Sequence, residues 1–354
     1  YMRYAETAAG RDLLNSTELW EALLEHAIAE KPEAVLITGD LTNHGERASH
    51  LLVAAGLERL RQKGIRVFVV PGNHDIDNPW ARGFRGSRQI ATDSVSPEEF
   101  SRIYARYGYA DAIDRDNDSL SYLSELDKGR WILMLDSASY ASNALPDTGG
   151  IFSEQSLEWI SRCGQRAKTA GVRMIAAMHH SVADHSSVIV DGFTVDNAET
   201  VARTLSQAGV KVVLTGHIHI QDISARLTSA GTLYDVATNA LSVFPNLYGR
   251  LAWSASTGAL EYQTAKVAIP GSSLDNHARE AFGFGVNRLF PEYGKSLVAT
   301  LNENYFAGRE DLNRPIAEMP LFKELAAEEG FFGRYVKSLA VDFDSLADNQ
   351  LVLR

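Results

Sequence analysis

The sequence is poor in cysteine, in positive charge and in long apolar runs. Its 354 residues include one cysteine, Cys163, so no disulfide can form within the chain. Because Cys163 lies in a helical pattern, we interpret it as a small buried hydrophobic residue rather than a catalytic thiol. No apolar run approaches the roughly 18 residues that a membrane-spanning helix needs. These absences exclude an internally disulfide-linked fold and a membrane span within the chain.

The deficit of positive charge limits the partners that the chain can attract. The formal net charge is −11, which opposes general attraction to the phosphate backbone of nucleic acid. A compact anionic substrate would therefore need local positive charge, which metal ions can supply. The hydrophobic content of 45% is ordinary for a globular protein.

The first residue is Tyr1 rather than Met. We therefore expect a processed or partial chain, with any signal peptide upstream of Tyr1. Localisation stays open between the cytoplasm and export to the cell envelope, and the sequence does not indicate an oligomeric state.

Most of the chain alternates between predicted strands and helices, which is typical of an α/β fold. Residues 76–130 look like an excursion from the sheet, with one helix near 97–107. The predicted strands cover 34–38, 66–70, 131–135, 173–178 and 211–215, and the other predicted helices cover 17–30, 46–63, 153–169 and 196–208.

The pattern changes after residue 222. Aromatic and β-branched stretches separated by turn residues predict antiparallel strands packed beside the first layer. From about residue 271 the pattern becomes helical, and the segment IPGSS offers a linker. We therefore predict a catalytic domain over 1–270 and a helical domain over 271–354.

Four predicted strands run into polar segments: GD at 39–40, GNHD at 72–75, HH at 179–180 and GHIH at 216–219. If these strands lie in one parallel sheet, their carboxyl ends converge along one edge. Carboxylate, amide and imidazole groups together suit Mn, Fe or Zn. The sequence therefore predicts a metal site at this edge.

Two details of these segments affect the site. An extended GHIH segment would point both imidazoles to one side, where they could serve two neighbouring ions. Asp136 also follows a predicted strand, and it is either a structural hydrogen-bond acceptor or a further ligand.

The ordered motifs GDLTNHGE, PGNHD, MHHS and GHIH resemble those of the calcineurin-like metallophosphoesterases over roughly residues 1–265. The helical tail and segments such as NPWAR and TNALSVFP are most similar to bacterial phosphodiesterases with a helical C-terminal domain, related to the class III cyclic nucleotide phosphodiesterases. The resemblance implies a layered α/β/β/α sandwich and a centre of two metal ions.

The resemblance also implies roles for individual residues. Asp40 would bridge the two ions, Asn73, His179 and His217 would complete the second site, and His219 would bind the first ion. His74 would act on the substrate phosphate as a proton donor or charge stabiliser, with Asp75 orienting its imidazole. Further residues that could contact substrate or support the ligands are His44, His180 and His185.

One family motif is not found where it is expected. The family begins with a strand ending in Asp, any residue, His, and no such motif precedes Asp40. We expect residues upstream of Tyr1 to supply it. Within the chain the pattern occurs at Asp275, Asn276 and His277, and we do not favour these residues as a permuted ligand pair.

The implied function is metal-dependent hydrolysis of a phosphodiester, such as a cyclic nucleotide or related small diester, by a metal-bridging hydroxide. A phosphomonoesterase or nucleotide pyrophosphatase with the same centre is the nearest alternative. A non-catalytic metal-binding or ligand-binding module is the alternative from another class. The motifs by themselves do not identify the substrate or the metals.

Overall fold

The computed structural model describes residues 10–140, 148–254, 256–267, 279, 295–341 and 346–353. In the first half of the chain the elements are α1 (Ser16–Glu30), β1 (Ala34–Ile37), α2 (Arg47–Gln62), β2 (Arg66–Val69), β3 (Arg82–Arg85), β4 (Arg88–Ala91), α3 (Pro97–Ile103), a π-helical turn (Ala105–Tyr109), β5 (Asp114–Arg115), β6 (Tyr122–Asp127), β7 (Arg130–Leu135), α4 (Glu154–Ala170) and β8 (Arg173–Met178).

The second half contains α5 (Ala198–Gln207), β9 (Val212–Thr215), β10 (Asp222–Thr228), β11 (Gly231–Ala237), β12 (Leu247–Trp253), β13 (Leu260–Lys266), α6 (Lys295–Phe306), a 3₁₀ turn (Glu310–Leu312), α7 (Arg314–Ala317), α8 (Pro320–Ala326), α9 (Phe331–Ser338) and β14 (Gln350–Leu353). Within the described residues, no helix is both long enough and apolar enough to cross a membrane.

The largest sheet has seven strands in the order β10-β11-β9-β8-β7-β6-β5. Its centre is parallel, with β7 beside β8, β8 beside β9 and β9 beside β11. Strands β7 and β8 are buried along nearly their whole length, as expected for central strands covered on both faces. Strands β5 and β6 belong to this sheet. The prediction that residues 76–130 form an excursion from the sheet is therefore wrong for residues 114–115 and 122–127.

Strands β1 and β2 form a separate parallel pair, and β12, β13 and β14 form an antiparallel sheet. One buried cluster joins Val69 of β2 to Ile132 and Ile175 of the large sheet and to Tyr262 of β13. Val69 also exchanges backbone hydrogen bonds with the Tyr122 hydroxyl. The prediction of a single sheet for the four motif strands is therefore wrong, because two of these strands lie in each of two facing layers.

Helices cover the outer faces of the two layers. Leu24 of α1 and Leu57 of α2 pack in the cluster that contains β2, whereas α4 and α5 pack on the opposite face of the large sheet. Helix α4 begins where the Ser153 hydroxyl accepts from Ser156 N–H, and its buried side includes Cys163. The α/β/β/α layering and the buried position of Cys163 are confirmed.

The C-terminal region packs on the sandwich through its helices. Leu301 of α6 and Val336 of α9 share a buried cluster with Ile218 and Phe244. The region is not entirely helical, since β14 pairs antiparallel with β13. The predicted boundary near 270 and the residues Asp275, Asn276 and His277 lie outside the described residues.

Candidate metal centre

Two glycine turns bring the first two motifs into contact. Gly39 has a φ of +94°, and a Cβ at this position would lie 2.6 Å from the Gly72 nitrogen. A Cβ on Gly72 would lie 2.2 Å from Asp40 Oδ1. Because neither glycine has a side chain, the Asp40 carboxylate reaches the next turn, where Oδ1 accepts from the His74 backbone N–H at 3.0 Å.

The Asp75 carboxylate fastens these two turns together. It accepts from the backbone N–H groups of Leu41, Thr42 and Gly72 at 2.9–3.1 Å and from the Thr42 hydroxyl at 3.0 Å. The His74 ring instead donates from Nδ1 to the Asn43 carbonyl at 2.5 Å. The expected bond from Asp75 to the His74 imidazole is therefore replaced by one from the neighbouring loop, and Asp75 positions backbone rather than a ring.

Three polar atoms converge on Nε2 of the buried His179. Asn73 Oδ1 lies 3.1 Å from this nitrogen, His217 Nδ1 lies 3.0 Å away and Asp40 Oδ2 lies 3.4 Å away. Asp40, Asn73 and His217 come from three turns, and His179 follows the end of strand β8. The structure thus brings together the four residues expected to form the second metal site.

The hydrogen bonds of the two imidazoles determine which atoms face this centre. His179 Nδ1 donates to the Thr38 carbonyl at 2.8 Å, and His217 Nε2 donates to the Gly192 carbonyl at 2.9 Å. In the neutral rings, His179 Nε2 and His217 Nδ1 therefore carry lone pairs. Two ring lone pairs, an amide oxygen and a carboxylate oxygen repel one another unless a cation lies among them. This mixed nitrogen and oxygen set fits Mn, Fe or Zn.

The electrostatics at the centre favour positive charge. Burial opposes charge on His179, but attraction to Asp40 outweighs it and raises the His179 pKa. Burial likewise opposes ionisation of Asp40, yet the surrounding histidines hold the Asp40 pKa well below its ordinary value. Burial and the proximity of His179 lower the pKa of His217 to about 3. A bound metal ion would replace the proton that His179 otherwise attracts.

The GHIH segment is a turn rather than an extended strand. His217 and His219 have φ values of 64° and 61°, and Asp40 has a φ of 51°. Left-handed backbone in residues other than glycine is strained and is concentrated at functional sites. The prediction that an extended backbone places both imidazoles on one side is therefore wrong, and the left-handed turn sets their directions.

His219 and His44 lie within electrostatic range of the same centre. Burial is the main cause that lowers the pKa of each imidazole to about 4. The positive charge of Arg11 lowers both pKa values further, whereas the negative charge of Asp40 opposes the shift. Both rings are therefore neutral at pH 7, which leaves a lone pair on each. The ring of His44 stacks on that of His74 with centroids 5.3 Å apart.

His180 is close to the centre, but both of its ring nitrogens are already bonded. Nδ1 lies 2.9 Å from the Ser137 hydroxyl, and Nε2 lies 3.1 Å from the Thr148 carbonyl. Although the nitrogens of His179, His180 and His217 cluster closely enough for a metal, the His180 ring packs against the other two imidazoles. His180 is therefore placed to support the rings of His179 and His217 rather than to bind a metal ion itself.

His185 takes part in a different buried cluster. Its Nδ1 bonds to the Asp222 carboxylate, and its Nε2 lies 3.4 Å from Asp235 Oδ1. Burial opposes the imidazolium, but the two carboxylates raise the His185 pKa to about 10. His185 is therefore the centre of a buried ion-pair cluster, which is a different environment from the substrate contact that we considered.

Sequence reasoning missed His50, which supports the metal-centre turns from helix α2. Its Nε2 bonds to the Asp75 carbonyl at 2.9 Å, and its Nδ1 bonds to the Tyr104 hydroxyl at 2.8 Å. His50 shares the buried face of α2 with Leu57, so its helical spacing could have identified it. Asp136 accepts from Leu120 N–H and the Tyr140 hydroxyl, as expected of a structural acceptor.

Comparison with known proteins agrees with this geometry. Residues 12–221, more than half of the chain, match the family model for calcineurin-like phosphoesterases. Among solved structures, a dimetal phosphatase from Danio rerio is similar in fold, with a TM-score of 0.50 and 14% identity over 73% of this chain and 88% of that one. The chain belongs to the calcineurin-like phosphoesterase family.

The chain is also similar, at low sequence identity, to two bacterial proteins described as probable cyclic nucleotide phosphodiesterases. The one from Synechococcus sp. (strain WH7803) is 22% identical over 59% of this chain and 67% of its own length. The one from Psychrobacter sp. (strain PRwf-1) is 24% identical over 56% of this chain and 51% of its own length. The matched part of this chain thus spans about half of the second relative.

Proposed function

We propose that the protein hydrolyses small phosphodiesters, with nucleotides as the preferred class, at a centre of two metal ions. The observation that carries this proposal is the convergence of Asn73 Oδ1, His217 Nδ1 and an Asp40 oxygen on His179 Nε2 within 3.0–3.4 Å. Membership of a phosphoesterase family supplies the reaction class.

The proposed ligand assignment follows the donor atoms. Asn73, His179 and His217 would hold one ion together with Asp40, whose carboxylate would also serve the second ion. His219 would bind the second ion, and its lowered pKa of about 4 favours the neutral imidazole that ligation needs. When bound, such ions supply an activated water and neutralise charge on the phosphoryl oxygens.

We assign His74 the role of proton donor to the leaving oxygen. Because Nδ1 donates to the Asn43 carbonyl, Nε2 is the nitrogen available to the substrate. The backbone bond from His74 to Asp40 couples the position of this ring to the ligand turn. A positioned acid of this kind contributes about 10² to 10⁴ in rate.

The preference for diesters is supported by similarity to the two bacterial proteins described as probable cyclic nucleotide phosphodiesterases. It can be tested on protein reconstituted separately with Mn, Fe and Zn, by comparing turnover of a bis-aryl phosphate and a mono-aryl phosphate. We expect faster hydrolysis of the diester. Faster hydrolysis of the monoester would favour the phosphomonoesterase alternative.

A non-catalytic module is the remaining alternative. The catalytic proposal would be overturned if elemental analysis shows bound metal but the protein hydrolyses neither aryl phosphoester nor a nucleotide pyrophosphate bond. Hydrolysis of the pyrophosphate bond alone would favour the nucleotide pyrophosphatase.

A further inference from the structure

Three aromatic rings form a row that leads from the proposed proton donor to solvent. The His44 ring stacks on His74 at an interplanar angle of 24°, with centroids 5.3 Å apart. The Trp80 and His44 rings meet edge to face, with centroids 5.7 Å apart and an angle of 87°. Trp80 is 50% exposed. A half-exposed indole thus lies beside the ring that stacks on the proposed proton donor.

Asn78 fixes the position of Trp80 relative to His74. Its side-chain nitrogen donates to the His74 carbonyl at 3.3 Å, and its Oδ1 accepts from the Trp80 backbone N–H at 2.9 Å. Asn78 is itself buried and held through its backbone N–H by the Ser94 hydroxyl. The backbone of Trp80 is therefore hydrogen-bonded, through Asn78, to the turn that carries the proposed acid His74.

Glu46 makes a second link, between the loop that carries His44 and the loop that carries Trp80. One carboxylate oxygen accepts from the His44 backbone N–H at 3.0 Å, and the other accepts from the Arg82 backbone N–H at 3.4 Å. The loop that carries Trp80 is thus joined to both histidine loops. Because the backbone of this loop is anchored on both sides, it loses little conformational freedom when a ligand binds against it.

The exposed indole has the chemistry to bind a flat ring, and the buried His44 ring supports it. Aromatic side chains stack on nucleobases with about 1–3 kcal/mol per base. A phosphate near His74 would place any ring attached to the substrate within reach of this row.

We propose that Trp80, supported by the buried His44 ring, forms an aromatic platform that binds the nucleobase or aryl ring of the phosphoester and makes the site selective for ring-bearing substrates. This proposal rests on the proposed function, because it assumes that the phosphate binds beside His74.

The test measures binding rather than turnover. Isothermal titration of the metal-loaded protein compares a nucleoside monophosphate, methyl phosphate and inorganic phosphate. We expect the nucleoside monophosphate to bind most tightly to the parent protein. Trp80→Ala should weaken only this ligand, by about 5-fold to 150-fold as stacking energies of 1–3 kcal/mol require, and Trp80→Phe should restore most of the loss.

Phe331→Ala is the matched control, because Phe331 is also an aromatic residue with 54% exposure but lies on the C-terminal helix α9. We expect this variant to bind all three ligands as the parent does. Equal weakening of all three ligands in Trp80→Ala would show a merely structural role and overturn the platform.

Two other outcomes separate this inference from the proposed function. If the parent binds the three phosphates equally, the platform is wrong while the phosphate site stands. If the parent binds none of them, the proposed function itself fails. Loss of self-association in Trp80→Ala with unchanged ligand preference would assign the indole to a protein contact and overturn the platform.

Discussion

Two buried clusters in this molecule contain the same residue types but have opposite electrostatic character. At the candidate metal centre, His179 and His217 donate their outer N–H groups to backbone carbonyls, so ring lone pairs face each other and Asp40. In the second cluster, His185 lies with one nitrogen beside Asp222 and the other near Asp235. The first arrangement calls for a cation, whereas the second already contains one in the imidazolium.

Burial of histidine beside a carboxylate does not by itself define a metal site. The deciding feature is the partner of each ring nitrogen. A carbonyl partner on one nitrogen leaves the other nitrogen free to ligate, whereas carboxylates at both nitrogens favour protonation. Variants at the two clusters test whether the partners of the ring nitrogens decide metal binding.

Asp40→Asn should have the largest effect. Removal of the shared carboxylate should lower the bound metal measured by elemental analysis and reduce turnover by about 10⁴-fold or more, since both water activation and charge neutralisation depend on the ions. Asp311→Asn is the control, because it makes the same substitution at an exposed position in the C-terminal 3₁₀ turn. Equal metal content in Asp40→Asn and the parent would contradict the shared-ligand assignment.

His74→Ala should retain the metal but lose catalysis. Removal of the proposed acid should reduce turnover of an aryl diester by about 10² to 10⁴, with metal content as in the parent. The measurement combines steady-state kinetics with elemental analysis. Unchanged kcat would eliminate the acid role.

His185→Ala should affect stability rather than metal binding. Breaking a buried ion pair by removing one partner costs about 3–5 kcal/mol of the free energy of unfolding, which denaturant titration measures. Metal content should not change. A loss of turnover at unchanged stability would instead place His185 at the substrate.

The stabilisation that His185 provides should depend on pH. Its pKa is raised from 6.5 to about 10 in the folded state, so its contribution is fully present below about pH 6.5 and is lost as pH rises through about 10. The difference in unfolding free energy between the parent and His185→Gln should therefore shrink between about pH 6 and pH 10. A difference that grows over this range would show that the imidazole is neutral in the fold.

Much of the fold follows from local pattern. The central strands such as β8 are short, apolar and flanked by turn residues, and helices such as α4 have a clear cap and apolar stripe. The strand β6 was harder to predict because its sequence YLSELD mixes polar and apolar residues and gains its pairing from β7. The strand β14 likewise depends on its distant partner β13.

The residue types in the sequence specify the chemical character of the candidate centre, because turn residues at strand ends supply carboxylate, amide and imidazole groups wherever the strands lie. They do not specify which nitrogen of each ring faces inward. That choice depends on contacts between distant residues, such as the bond from His179 to Thr38 across 141 positions of the chain. Only the tertiary structure therefore assigned Asp75 to the backbone turns and His185 to its ion pair, since hydrogen-bond partners rather than residue types decide where protons reside.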